Sequence, residues 1–406
     1  MSITKGPLSG IRVLDLTHFH AGPFGTMLLG DLGAEIIKIE PPNGEPLRMG
    51  NPKVSIQDSY LIGLNRNKKG IVLDLKSEYG KKAFYDLVKE SDIVYSNYRA
   101  DVMKRQGTDF DTLKAINPKI IRCNISGYGK EGPYTGYPSF DIIACGHSGI
   151  LSISGEPGSV PVIPGGIAFA DMMGGIFGTM SILAALIKRN RDSKGMELNV
   201  NLLDGLLVMQ QTMFQNYFLS GNKLGLQGRR HPLGAGYGIY DTKDGYITMA
   251  PLDQDKALRL MGLESELEDP RFKNVVDRLA NKDELDKVVE KKLIEKTTDE
   301  WVKIFRDEND MACGPVFDYD QIMNDPQVLH NKMIIDMELK GEKYKTVGTV
   351  FRLSDETDLI EGEPDPPPDL NQHTVEVLRR VLGYSDELIK KIQTENESSN
   401  PMLKDL

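Results

Sequence analysis

Short β-branched runs alternate with helical stretches over the first 125 residues, and this alternation limits the fold more than any other feature of the sequence. Arg12–Leu16 (RVLDL), Glu35–Glu40 (EIIKIE), Ile71–Leu75, Asp92–Tyr95 and Ile120–Ile125 read as strands, with helices at Phe24–Leu32 and Glu78–Glu90. Strands separated by helices at this spacing imply βαβ units and a parallel sheet. Ligands of such sheets lie beyond the carboxyl ends of the strands. The loops after Leu16, Leu75, Tyr95 and Ile125 are therefore the expected place for a site.

Further along, Asp171–Arg189 reads as a long apolar helix, Glu197–Leu202 as a strand and Leu203–Ser220 as another helix. The apolar stretch is interrupted by Gly174, Gly175 and Gly178 and is short for a membrane span, so a buried helix is expected. From Tyr240 to about Ile335 the chain is charge-rich and carries amphipathic helices at Asp283–Glu295 and Asp299–Glu308. The expected organisation is a large Rossmann-like α/β domain over residues 1–220, a linker over 221–239 and a smaller α+β domain over 240–335. Residues 336–406 would return to complete the large domain, through an extended Glu361–Pro368 linker whose consecutive prolines forbid helix. A helix pair follows at Thr374–Leu382 and Asp386–Thr394, and the tail Glu395–Leu406 is expected to fray.

Forty-nine basic against 59 acidic residues give a formal charge of −10. No basic run offsets it, which argues against a nucleic-acid partner. Three cysteines are too few for a disulfide framework, and the six histidines form no metal-ligand spacing. No apolar leader precedes the first strand. A cytoplasmic protein with no metal and no membrane association is expected.

Two motif readings fail on spacing. The turn after the first strand is HFHAGPFG rather than G-x-G-x-x-G, with Pro23 where a backbone would approach a pyrophosphate, so a nicotinamide cofactor is not indicated. Gly146-His147-Ser148-Gly149 places its second glycine one residue too early for a nucleophile elbow. Asp171, at the head of the apolar helix, has two readings. It can cap the helix, or the helix N–H groups can hold it as an ionised, aimed carboxylate able to act as a covalent nucleophile.

Several segments in order carry a resemblance over nearly the whole chain: PLSGIRVLDLTHFHAGPFGTMLLGDLGAEIIKIEPP, LNRNKKGIVLDLK, SNYRADVMKRQG, NPKIIRCNISGYGKEGPY, SFDIIACGHSGI and GGIAFADMMGGIFGTMSILAALIKRNRDSKGMELNVNLLDG. DPRF, TTDEW, the CGPV turn and HTVEVLRRVLGYSDE continue it. Together they resemble the family III coenzyme A transferases, the group that includes formyl-CoA and carnitine CoA-transferases. The resemblance implies that Asp171 attacks an acyl-CoA donor, passing through a mixed anhydride and an aspartyl-CoA thioester before CoA reaches an acceptor acid. It also implies coenzyme A as substrate over the first domain. His20 and Ala21 would lie near the thiol, and Leu73, Lys76, Asn97, Tyr98, Arg99, Arg105, Gly127 and Tyr128 along the pantetheine and nucleotide. Arg99 and Arg105 suit phosphate, since the guanidinium fork matches its oxygens. An interlocked homodimer is implied as well.

The chain departs from that pattern in places. Formyl-CoA transferase has a glutamine at the position of His20 and a glycine string where this chain has HPLGAGYG, with Gly234, Gly236 and Gly238. This argues against oxalate and formate as substrates. The related 2-methylacyl-CoA racemases use a His-Asp pair from a G-H-D motif, where this chain has Ser139-Phe140-Asp141. Phe140 cannot carry a proton, which favours transferase over racemase. A catalytically silent CoA-binding protein is a third reading, against which retention of Asp171 counts.

Overall fold

A computed structural model describes residues 6–49, 56–232, 234–354 and 364–405. The described residues fall into two compact units, one drawn from Met1–Ser148, Gly166–Gln211 and Gln327–Leu406, the other from Gly149–Gly165 and Thr212–Pro326.

The first unit is built on six parallel strands, β1 (Arg12–Asp15), β2 (Glu35–Glu40), β3 (Lys68–Val72), β4 (Ile93–Ser96), β5 (Ile121–Ser126) and β6 (Met196–Asn201). Their spatial order is β3-β2-β1-β4-β5-β6. The order reverses between β1 and β4, and in open α/β sheets that switch point opens a crevice at the carboxyl ends of the strands.

Eight helices set the frame of the site: α1 (Ala21–Asp31), α2 (Ile56–Leu64), α3 (Glu78–Lys89), α4 (Ala100–Gln106), α5 (Phe110–Ile116), α6 (Asp141–Ser148), α7 (Phe169–Asp192) and α8 (Leu202–Met209). One face of the sheet packs Leu14, Leu16, Ile37, Ile39 and Ile71 against Phe84 and Leu87 of α3, and against Val377, Leu378, Ile389 and Ile392 of the C-terminal helices. α7 is long and apolar enough to cross a bilayer by composition, yet it packs along α1, α8, β5 and β6. Its glycines permit the approach: a Cβ on Gly175 would stand 2.8 Å from the Ala21 carbonyl oxygen.

Several boundaries differ from the sequence reading, four of them by more than a frayed end. β3 begins at Lys68 rather than Ile71 because Lys68 is a fully buried charge, its Nζ 3.0 Å from Asp15 Oδ2. α1 begins at Ala21, three residues early, because a proline in the first helical turn gives up an N–H that has no helical partner anyway. The helix expected over Leu203–Ser220 is two, Leu202–Met209 and Gln211–Ser220. The tail is ordered helix to Ser399. Asn396 bridges the edge strand, donating to Val72 O (2.9 Å) and accepting from Asp74 N (3.0 Å), and Glu395 accepts from Tyr79 N (3.0 Å). The Glu361–Pro368 linker lies outside the described residues over its first three positions, and Pro364–Pro368 is neither helix nor strand.

In the second unit, strands Gly238–Asp241, Tyr246–Met249 and Cys313–Pro315 form an antiparallel sheet. Tyr240, Ile247, Phe272, Trp301 and Phe305 make its core. Residues 149–165, read from sequence as part of the first 220, cluster with this unit, and the hairpin Ile334–Leu339/Glu342–Val347 clusters with the first.

Candidate active site

A cleft of about 340 Å³ opens at the switch point, wholly within the first unit. The β1–α1 loop contributes Phe19 and His20, the start of α1 Ala21, and the β4–α4 loop Asn97, Tyr98 and Arg99. The end of β5 adds Asn124 to Gly129, and Phe140 and Asp171 close one side from the starts of α6 and α7. Strand ends therefore converge on the head of α7.

Asp171 sits in the first turn of α7, not at its cap; the cap position is Ala168, which has no side chain to offer. Asp141, the first residue of α6, does the capping instead. Its Oδ1 accepts from Ala170 N at 2.7 Å and Asp171 N at 3.2 Å. The capping reading of Asp171 is thereby corrected, and so is the idea that helix N–H groups hold it ionised. Among the described residues its carboxylate has no hydrogen-bond or ion-pair partner. Burial, and then the neighbouring Asp141 charge, push its carboxyl up to about 7. A half-buried carboxylate left unpaired and poorly solvated is basic for its type, and so suited to attack on a carbonyl.

Eight of the eleven residues expected from sequence line this cleft: His20, Ala21, Asn97, Tyr98, Arg99, Gly127, Tyr128 and Asp171. His20 is kept neutral chiefly by burial, and its Nδ1 has no hydrogen-bond partner among the described residues. Asn97 and Tyr98 spend their polar atoms on the neighbouring loop. The Asn97 amide grips both backbone groups of His18, and the Tyr98 hydroxyl lies 2.5 Å from His18 Nε2. Tyr128 OH meets His147 Nδ1 at 3.0 Å. Arg99 occupies the N-cap position of α4 without capping it, its exposed guanidinium 3.4 Å from Asp101. The other three stand apart from the lining. Leu73 is buried in the core, Lys76 is exposed on the loop after β3, and Arg105 is exposed on α4. Asp141 was quoted in the sequence motif but given no role, since its contact with the α7 turn spans about thirty residues of chain.

Beneath the β1–α1 loop lies a buried charge lattice. Lys68 Nζ donates to Asp15, Thr26, Asn65 and the Pro23 carbonyl. Burial opposes ionisation of Asp15, but Lys68 and Lys38 outweigh it and bring its carboxyl down to about 2. Lys38 pairs with Glu45 at 3.1 Å, and Arg48 grips Glu40 through two bonds of 2.6 and 2.7 Å. Each buried charge thus has an opposite one, the condition under which burial is tolerated.

The model of the family described as CoA-transferase family III matches residues 8–374. The chain belongs to that family. It is 32% identical over 402 residues to human succinyl-CoA:glutarate CoA-transferase, covering 95% of this chain and 88% of that protein. It is 36% identical over 335 residues to acetyl-CoA:oxalate CoA-transferase of Acetobacter aceti, covering 82% and 86%. Among solved structures, a CAIB/BAIF family protein from Brucella suis superposes with a TM-score of 0.79 at 29% identity, covering 93% of this chain and 99% of that one. The α/β fold and the CoA-transferase class are those read from the sequence, and a silent CoA-binding protein is set aside.

Proposed function

We propose that this family III CoA-transferase works through Asp171 as a covalent nucleophile. The unpaired carboxylate at the head of α7 carries the reading. An oxygen of Asp171 attacks the donor thioester, giving an acyl-aspartyl anhydride and CoA thiolate. The thiolate then attacks the aspartyl carbonyl, and the donor acid leaves with the bridging oxygen. The acceptor carboxylate attacks the resulting aspartyl-CoA thioester, and returning thiolate takes its acyl group. One acceptor oxygen is left on Asp171. Splitting one exchange into such steps is the general advantage of covalent catalysis. Turnover with ¹⁸O-labelled acceptor should therefore place ¹⁸O in the Asp171 peptide, and label confined to acid and water would contradict the route. Short dicarboxylic acids are the acceptor class that the relatives' names suggest. The spacing of Gly234, Gly236 and Gly238 argues against oxalate, although one relative is named for it.

In this reading coenzyme A lies in the cleft, with its thiol near His20 and Ala21 and its phosphates toward Arg99. Leu73, Lys76, Asn97, Tyr98, Arg105, Gly127 and Tyr128 belong to the proposed path, Leu73 through its backbone alone. A hydrogen bond to a charged group contributes about 1.5–3 kcal/mol, so Arg99→Ala should raise the Kd of CoA roughly ten- to a hundredfold. Arg105→Ala, outside the cleft lining, should act more weakly. Calorimetric titration with CoA and dephospho-CoA checks both; wild-type affinity in Arg99→Ala would put the nucleotide elsewhere.

Phe140 carries no titratable group at the cleft, so a chiral 2-methylacyl-CoA in deuterated water should show no enzyme-dependent exchange at its α-carbon. Exchange without acceptor acid, followed by NMR, would favour the racemase reading. A homodimer and a cytoplasmic location complete the proposal. α7 and α8 leave Met180, Ile187, Leu207, Val208 and Met209 exposed, the kind of apolar surface that a second copy covers. Cys123, Cys145 and Cys313 are free thiols, as suits a reducing compartment.

A further inference from the structure

Three consecutive residues of the β1–α1 loop are pinned by three different side chains. Lys38 Nζ donates to Thr17 O at 3.0 Å. The Asn97 amide accepts from His18 N at 2.9 Å and donates to His18 O at 2.8 Å. Glu45 Oε2 accepts from Phe19 N at 3.2 Å. Phe19 has a φ of 62°, in the left-handed region. A bulky residue stays there only where its surroundings over-determine the backbone. Glu45 is fully buried, and its other oxygen is the one paired with Lys38. The two residues after Phe19 are His20 and Ala21, which line the cleft with Asp171. The Phe19 ring meets Phe140 edge-on at 6.0 Å, and Phe140 immediately precedes Asp141, the cap of α7.

We propose that Glu45, which does not itself line the cleft, is a positioning residue for the reaction at Asp171. By accepting the Phe19 N–H it holds the left-handed turn that sets His20 and Ala21 against the reacting carboxylate. The inference rests on Asp171 being the nucleophile. A shift of about 1 Å in a group far from the chemistry costs on the order of a hundredfold in rate.

Two variants test it: Glu45→Gln keeps the shape and loses the charge, while Glu45→Asp keeps the charge opposite Lys38 and withdraws the carboxylate from Phe19. Glu45→Asp should lower kcat about 10- to 100-fold, with the Kd of CoA changed less than about twofold. Glu45→Gln, whose amide oxygen can still accept the Phe19 N–H, should lose less. Glycine holds a positive φ unaided. In a Phe19→Gly background the loss from Glu45→Asp should therefore shrink to less than about threefold. Losses that multiply in full, or a kcat unchanged in Glu45→Asp, would overturn the proposal, as would a loss appearing equally in kcat and CoA affinity. The rate of CoA adduct formation on Asp171 is read in the same samples. No adduct in an active wild type counts against the nucleophile itself, whereas a wild-type adduct rate in Glu45→Asp counts against Glu45 alone.

Discussion

Asp171→Ala should lose CoA transfer by on the order of 10⁴-fold or more, because removing a covalent nucleophile removes the route rather than a contact along it. CoA should bind nearly as before, since the contacts proposed for its nucleotide and pantetheine do not involve Asp171. Asp171→Asn should be nearly as inactive with less change of shape. Stability should move the other way. The folded carboxyl, raised to about 7, holds its proton more tightly than the unfolded one. Between the ordinary carboxylate range and pH 7 the folded state therefore binds more protons, and this group's contribution to stability falls as pH rises through that window. Asp171→Asn should raise Tm at pH 8 and change it little at pH 3.5. A mutant less stable at pH 8 would mean that the carboxylate is better solvated or paired than the structure has it.

Asp141→Asn should shift the acid limb of the rate profile to lower pH, by roughly one unit. The asparagine oxygen can still accept the Ala170 and Asp171 N–H groups, while the charge that raises Asp171 is gone. Wild-type rate should fall as pH drops below about 7, where Asp171 takes up its proton, and the variant should retain its rate further into acid. Asp141→Ala should do more damage: it strips the cap, worth about 0.5–2 kcal/mol, and frees the turn that aims Asp171. Its kcat should fall on the order of a hundredfold. Stopped-flow rates across pH 5 to 9 separate the variants, and an unmoved midpoint in Asp141→Asn would remove Asp141 from the account.

The parallel sheet was readable because Val, Ile and Leu recur in each of β1, β2, β4 and β5, which the βαβ spacing interprets. β3 was misplaced because Lys68 looks like a surface charge until its partner Asp15, 53 residues away, is seen. Asp171 was legible as a residue but not as an environment. That Asp141 takes the helix N–H groups and leaves Asp171 unpaired depends on α6 meeting the head of α7, which no local pattern encodes. The same holds for Asn97 and Tyr98, which motif position assigns to a ligand and which hold the β1–α1 loop through His18. Lys76 on the loop after β3 and Arg105 on α4 are exposed outside the cleft lining, and motif position does not tell which way such side chains point.

Trapping Asp171 during turnover tests the central claim most directly. The enzyme is incubated with an acyl-CoA donor, quenched with hydroxylamine and digested, and the peptide containing Asp171 is weighed by mass spectrometry. An activated aspartyl carbonyl should appear as a hydroxamate at Asp171, dependent on donor and absent from Asp171→Asn. An unmodified Asp171 under demonstrated turnover would contradict the covalent route.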